Sequence, residues 1–306
     1  MRSPLLRKGG LFLALSLLFA TLLPAPTQAL SNFKVAPSTV WGHTYAGKAV
    51  GNPTTTPPKV FNLEAKSKFV VNYKNFPDWA KRDFQSAVDI WAANFASAAP
   101  VTIDASWGRA PSWGVLGSAR PGNYYSGFDG APDQSLWYPS ALANALAGKD
   151  LEPNNPDMVI QINSLANWNT RNDGTPSATE YDLPSVFLHE MAHGLGFLST
   201  DSYDSFFGYG TIEQPTPYAA YAQLPDGRRL SDLPSPSIEL GKALTSKLVW
   251  SGQFGNAANG GEKIILYTPA RYEDGSSVSH IDEETYKDLG ANSIMTPNID
   301  AGEVFR

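Results

Sequence analysis

The chain has 306 residues, 42% of them hydrophobic and 17% charged, with a formal net charge of −6 and no cysteine. That length can bury one substantial core or two modest ones. The acidic balance argues against nucleic acid and anionic membranes as partners, and the lack of cysteine excludes disulfides, thiolate metal ligands and a Cys nucleophile.

The first residues have the layout of an export signal. Arg2, Arg7 and Lys8 form a positive n-region, and Leu11–Leu23 is an apolar run too short for a comfortable membrane span. Thr27-Gln28-Ala29 puts small residues where a signal peptidase inspects the chain. Cleavage after Ala29 is expected, removing three cations and taking the net charge from −6 to about −9. No Cys follows the apolar run and no later stretch is long and apolar enough to span a bilayer, so a secreted or periplasmic protein without a membrane anchor is expected. An exported chain free of cysteine points to a bacterial source.

Residues 30–58 are rich in Pro, Thr, Gly and Ser and read as an extended lead-in or pro-segment. One folded domain is expected over 59–306. Phe69–Tyr73 is a strand candidate. Asp78–Ala96 is a strong helix, with Ala80, Phe84, Ala87, Val88, Trp91 and Phe95 on one face. Val101–Ala105 alternates as a half-buried strand does, Gly114–Gly117 is a weaker strand, and Ser140–Ala147 a short helix. Met158–Asn163 is another strand candidate, and Asp182 with Pro184 predicts a capped helix running through His193. The order β-α-β-β-(α)-β-α implies an α+β domain. Residues 198–275 change character: Gly, Pro, Tyr and Ser break up short apolar pieces such as Lys247–Trp250 and Lys263–Tyr267, and no architecture follows from them. A short helix near Glu283–Leu289 and the sequence Ser293-Ile294-Met295-Thr296-Pro297 close the chain.

The most informative stretch is His189-Glu190-Met191-Ala192-His193, followed by Gly194-Leu195-Gly196-Phe197. Two histidines four apart on a helix share one face and can bind one metal ion. A Glu between them stands where a carboxylate can take a proton from water activated by that metal. Only four histidines exist, His43, His189, His193 and His280, so half of them fall in this motif. A catalytic zinc needs a third protein ligand and an open position. The candidates are His280, Asp201 and Glu284, with His43 set in the lead-in. Gly194 and Gly196 disfavour continuation of the helix and supply a sharp turn.

The motif with its glycines, the distant His280 and Met295 before Pro297 together resemble a metzincin zinc endopeptidase of the leishmanolysin-like subgroup. Most metzincins carry the third His three residues after the motif glycine, where this chain has Ser199; the subgroup instead inserts a long segment before it. The resemblance implies a twisted mixed sheet, an insertion over 198–275, one catalytic Zn²⁺ on His189, His193 and His280, Glu190 as general base, and Met295 in a Met-turn beneath the imidazoles. It covers the catalytic core alone, since leishmanolysin proper is disulfide-rich and membrane anchored. It also implies that Met158–Asn163 is a cleft-edge strand that pairs with an extended protein or peptide substrate. Two alternatives stand beside it: a thermolysin-like peptidase with Glu284 as third ligand, and a secreted binding or adhesion protein with a vestigial zinc site, for which the eight Trp and thirteen Tyr would serve as contacts. The Asn/Gly-rich stretch 255–261 is a weakly signalled calcium site.

Overall fold

The computed structural model describes residues 33–50, 64–110, 112–287 and 293–305. The export signal expected at 1–29 and residues 30–32 and 51–58 of the lead-in lie outside them. In chain order the elements are β1 (Lys34–Pro37), β2 (Gly42–Val50), β3 (Phe69–Lys74), α1 (Asp78–Asn94), β4 (Val101–Gly108), β5 (Val115–Pro121), β6 (Asn123–Ser126), β7 (Tyr138–Pro139), α2 (Ser140–Ala147), β8 (Met158–Asn163) and α3 (Leu183–Leu195). They continue as β9 (Asp201–Asp204), β10 (Tyr209–Ile212), β11 (Ala222–Gln223), α4 (Ile238–Leu244), β12 (Val249–Trp250), α5 (Gln253–Ala258), β13 (Ile264–Ile265), α6 (Glu283–Tyr286) and β14 (Asn298–Ala301). Among the described residues no helix is long and apolar enough to cross a membrane.

The architecture is α+β around a six-stranded mixed sheet of order β14-β2-β5-β8-β4-β3. Strands β3, β4 and β8 run parallel, while β5 is antiparallel to both β8 and β2. Helices α1 and α3 cover this sheet because each offers it apolar side chains. Phe84 of α1 and Phe187 of α3 meet with ring centroids 4.4 Å apart, and Met158, Ile160 and Ile162 of β8 complete the same core. Each of these side chains is fully buried, which stabilises the domain by about 1.5–3 kcal/mol per residue relative to exposure. Helix α1 ends two residues earlier than its apolar pattern suggests, at Asn94.

The lead-in is not an unpacked segment through its described part: β1 pairs with β6, and β2 lies inside the main sheet between β14 and β5. Trp41–Ala46 alternates outward and inward side chains as a strand does, a pattern obscured by the Pro/Thr run that follows it. Strand β8, expected at the cleft edge, is interior, with β4 on one side and β5 on the other. Both of its hydrogen-bonding edges are used, so it cannot receive a substrate strand.

The region 198–275 has a core of its own. Tyr218, Leu240, Leu244, Leu248 and Leu266 pack together with Val278 just beyond the region, and Phe197 and Trp250 lie against them. The two apolar pieces noted in the sequence supply β12 and β13, which pair Val249 with Ile265. The Asn/Gly stretch 255–261, the weakly signalled calcium candidate, contains no carboxylate, and the Asn259 amide donates to the Glu262 carbonyl at 3.1 Å.

Candidate metal centre

Helix α3 carries the centre and is buried from Leu183 to Gly194. It starts where expected: the Asp182 carboxylate accepts from the Ser185 N–H at 3.1 Å and Pro184 lies in the first turn. It stops at Gly196, whose φ of +116° places it in the left-handed region. The Gly196 and Phe197 N–H groups then donate back to the Ala192 carbonyl at 3.1 and 2.9 Å, closing the helix end as a C-terminal glycine does. This turn also brings the Phe197 carbonyl onto Nδ1 of His193 at 2.7 Å.

All three histidines of the expected ligand set meet. The Nε2 atoms of His189 and His193 are 2.9 Å apart, and each lies 3.1 Å from Nε2 of His280. Each ring is fixed from behind by a backbone carbonyl on Nδ1: Ile294 for His189 at 2.6 Å, Phe197 for His193 at 2.7 Å, and Ser276 for His280 at 2.9 Å. A carbonyl only accepts, so every Nδ1 carries a hydrogen, and every neutral ring turns an unprotonated Nε2 towards the other two. Three lone pairs converging with no donor between them repel one another. A cation relieves that repulsion, and backbone-anchored imidazoles are the usual preparation for one. The Nε2 separations are a few tenths of an ångström below the roughly 3.3 Å set by tetrahedral bonds of about 2.0–2.1 Å to zinc. The buried His189–His193–His280 group can therefore hold a metal ion, and it is the one group of three or more such ligands among the described residues.

Burial disfavours the charged imidazolium and lowers all three histidines, His189 and His193 well below the usual value and His280 to about 4. Neutral rings are what a metal requires. Glu190 is equally buried, and burial pushes its carboxyl up to about 8, against the opposing effect of hydrogen bonds from Thr44. Its Oε1 accepts from the Thr44 N–H at 3.2 Å and from the Thr44 hydroxyl at 2.5 Å. Its Oε2 is buried with no hydrogen-bond partner among the described residues. An orphaned carboxylate oxygen inside a protein calls for a water, ion or substrate group.

The other sequence candidates fall elsewhere. Glu284 is exposed and paired with Lys287 at 3.0 Å, away from the histidines. Asp201 is buried but accepts from the Ser199 hydroxyl at 2.7 Å and is not in the metal group. His43 lies on β2 with Nδ1 2.8 Å from the Ser118 hydroxyl, also outside the group. Met295 is buried in a cluster with Ala192, Ile281 and Tyr286, and its carbonyl accepts from the Ile281 N–H at 3.0 Å. The turn through Ile294 and Met295 thus underlies His189 and the residue before His193.

Two contributors were not foreseen from the sequence. Thr44 sits in a segment read as lead-in, and only the alternation of Trp41–Ala46 hinted at a strand there. Val278 takes a positive φ of +66°, unusual for a β-branched residue, two positions before His280. It is held there by its N–H to the Tyr267 carbonyl at 2.9 Å and by the Tyr218 hydroxyl, which donates to its carbonyl at 2.8 Å. No local sequence signal marks this arrangement.

No curated protein and no solved structure matches the chain. The profile of the SPBPB7E8-like family matches residues 62–214, half of the sequence and the part that contains His189, Glu190 and His193, and the chain belongs to that family.

Proposed function

We propose that this protein is a zinc-dependent endopeptidase of metzincin type. The observation that carries the proposal is the conjunction of three inward-facing Nε2 atoms with the unpartnered Oε2 of the neighbouring Glu190. His189, His193 and His280 would hold the ion. Zinc, when bound, supplies a Lewis acid that polarises a carbonyl and makes water a better nucleophile at neutral pH. Glu190 takes the proton of the attacking water and delivers it to the leaving amine. Its raised proton affinity suits that exchange, because a general base works best when its pKa lies near the operating pH. The carbonyls of Ile294, Phe197 and Ser276 keep the three rings in one tautomer, and the Met295 turn supports His189 from below. The exported, protein-cleaving role follows from this reading together with the sequence of residues 1–29.

A second reading has an observation in its favour. All three histidines and Glu190 are fully buried, as in a structural site. Under that reading Glu190 has no task, and its orphaned oxygen is an unrelieved cost. Casein incubated with the zinc-loaded protein separates the two. Hydrolysis that stops with a chelator, returns with zinc and falls at least about 100-fold in Glu190→Gln, with zinc content unchanged, is the expected result. An undiminished rate in Glu190→Gln would rule out the proposed role of Glu190.

A further inference from the structure

Among the described residues His189, His193, His280 and Glu190 are fully buried, and the element lying directly against His193 and Glu190 is β2. Its pairing with β5 sets Thr44 opposite Gly117 and Gly42 opposite Ala119. Inward side chains along this stretch are minimal. A Cβ on Gly42 would lie 2.4 Å from Cγ of His193, so the Gly42 backbone rests directly on that imidazole. A Cβ on Gly117 would meet Glu190 Oε1 at 2.7 Å, which puts the same carboxylate against both paired strands. Thr44 spends both its N–H and its hydroxyl on Glu190. The strand therefore covers a metal ligand and engages the one carboxylate able to move protons.

We propose that residues 41–46 act as an internal plug: they occupy the place an extended peptide would take beside β5, and the centre opens only when this strand is displaced. Two features make displacement feasible. The register of β2 on β5 shifts between Thr44 and Tyr45, and its register on β14 shifts between Ile299 and Ala301. At these shifts the regular ladder is interrupted, and the Tyr45 and Ala46 N–H groups turn instead to the carbonyls of Pro297 at 2.9 Å and Gly114 at 2.7 Å, just beyond the paired strands. Contacts on the centre come from Gly42, the His43 backbone and Thr44, none of them a large apolar side chain. Occlusion by this strand accounts for the complete burial of His189, His193, His280 and Glu190, and only its effect on hydrolysis rests on the peptidase reading.

The test uses the full chain loaded with zinc, in two variants. Gly42→Val forces a side chain into the His193 ring, and Thr44→Val, isosteric with threonine, removes the hydroxyl from Glu190. The primary readout is the rate at which a chelator strips zinc, with far-UV circular dichroism as the check on folding. Stripping is expected to accelerate at least about ten-fold in each folded variant, through the lost Thr44 hydroxyl contact in one and the displaced Gly42 backbone in the other. Casein hydrolysis should rise in the same order. Thr44→Val decides the matter if Gly42→Val does not fold. Stripping rates equal to or slower than those of the parent chain would overturn the plug. Faster stripping without any hydrolysis would support the plug and count against the peptidase reading instead.

Discussion

The Ser199 N–H donates to the Ser279 hydroxyl at 3.0 Å, across 80 residues of sequence. Ser199 lies three residues after the helix-ending Gly196, and Ser279 immediately precedes His280. The long segment between them is thus a closed excursion whose two ends meet beside the metal centre, so that the third imidazole arrives from the far end of it.

Removing that link should loosen the junction. Ser279→Ala leaves the buried Ser199 N–H without its partner, which costs about 1–3 kcal/mol. Urea unfolding of the two proteins is expected to show a lower midpoint with an unchanged slope. An unchanged midpoint would mean that the ends of the excursion are held by other contacts.

The Tyr218 hydroxyl supports the positive φ of Val278 from inside the excursion. Tyr218→Phe keeps the ring against Phe197 and removes only that support. Zinc affinity, measured by competition with a chromophoric chelator, should fall roughly ten-fold, the scale typical of groups that orient metal ligands. Affinity equal to the parent's would show that His280 is positioned without Val278.

Much of this centre was legible because its signals are local. The cap at Asp182, the turn at Gly196 and the spacing of His189 and His193 all lie within fifteen residues. The apolar face of α1 and the strand at Met158–Asn163 were equally readable. What escaped was set by distant partners. Thr44 meets Glu190 across 146 residues, and nothing near Thr44 in the sequence specifies that contact. Alternation in β8 says that one of its faces is buried but not whether its edges are paired, so its interior place between β4 and β5 could not be read. The excursion was opaque for a related reason: its strands are two to four residues long, too short for a periodic pattern, and its core is assembled from scattered residues such as Tyr218, Leu240 and Val278.

Asp201 gives a pH signature. Burial raises its carboxyl from 3.8 to about 6, and only the Ser199 hydroxyl opposes this. The folded protein thus keeps this proton at pH values where the unfolded chain has lost it. Its contribution favours folding most below about pH 3.8 and declines as pH rises towards 6. The stability difference between the parent and Asp201→Asn should therefore shift by on the order of 1–3 kcal/mol between acid and neutral pH, with Asn the more stable at pH 7. Denaturant unfolding at a series of pH values measures this, and a constant difference would mean that Asp201 is not desolvated in the fold.

Zinc X-ray absorption on the metal-loaded full chain, with metal content measured on the same sample, bears most directly on the central claim. One zinc per chain is expected, with three imidazole nitrogens at about 2.0–2.1 Å and a lighter oxygen shell, and with zinc lost from His280→Ala. A shell dominated by carboxylate oxygens, or full zinc retention in His280→Ala, would contradict the three-histidine centre.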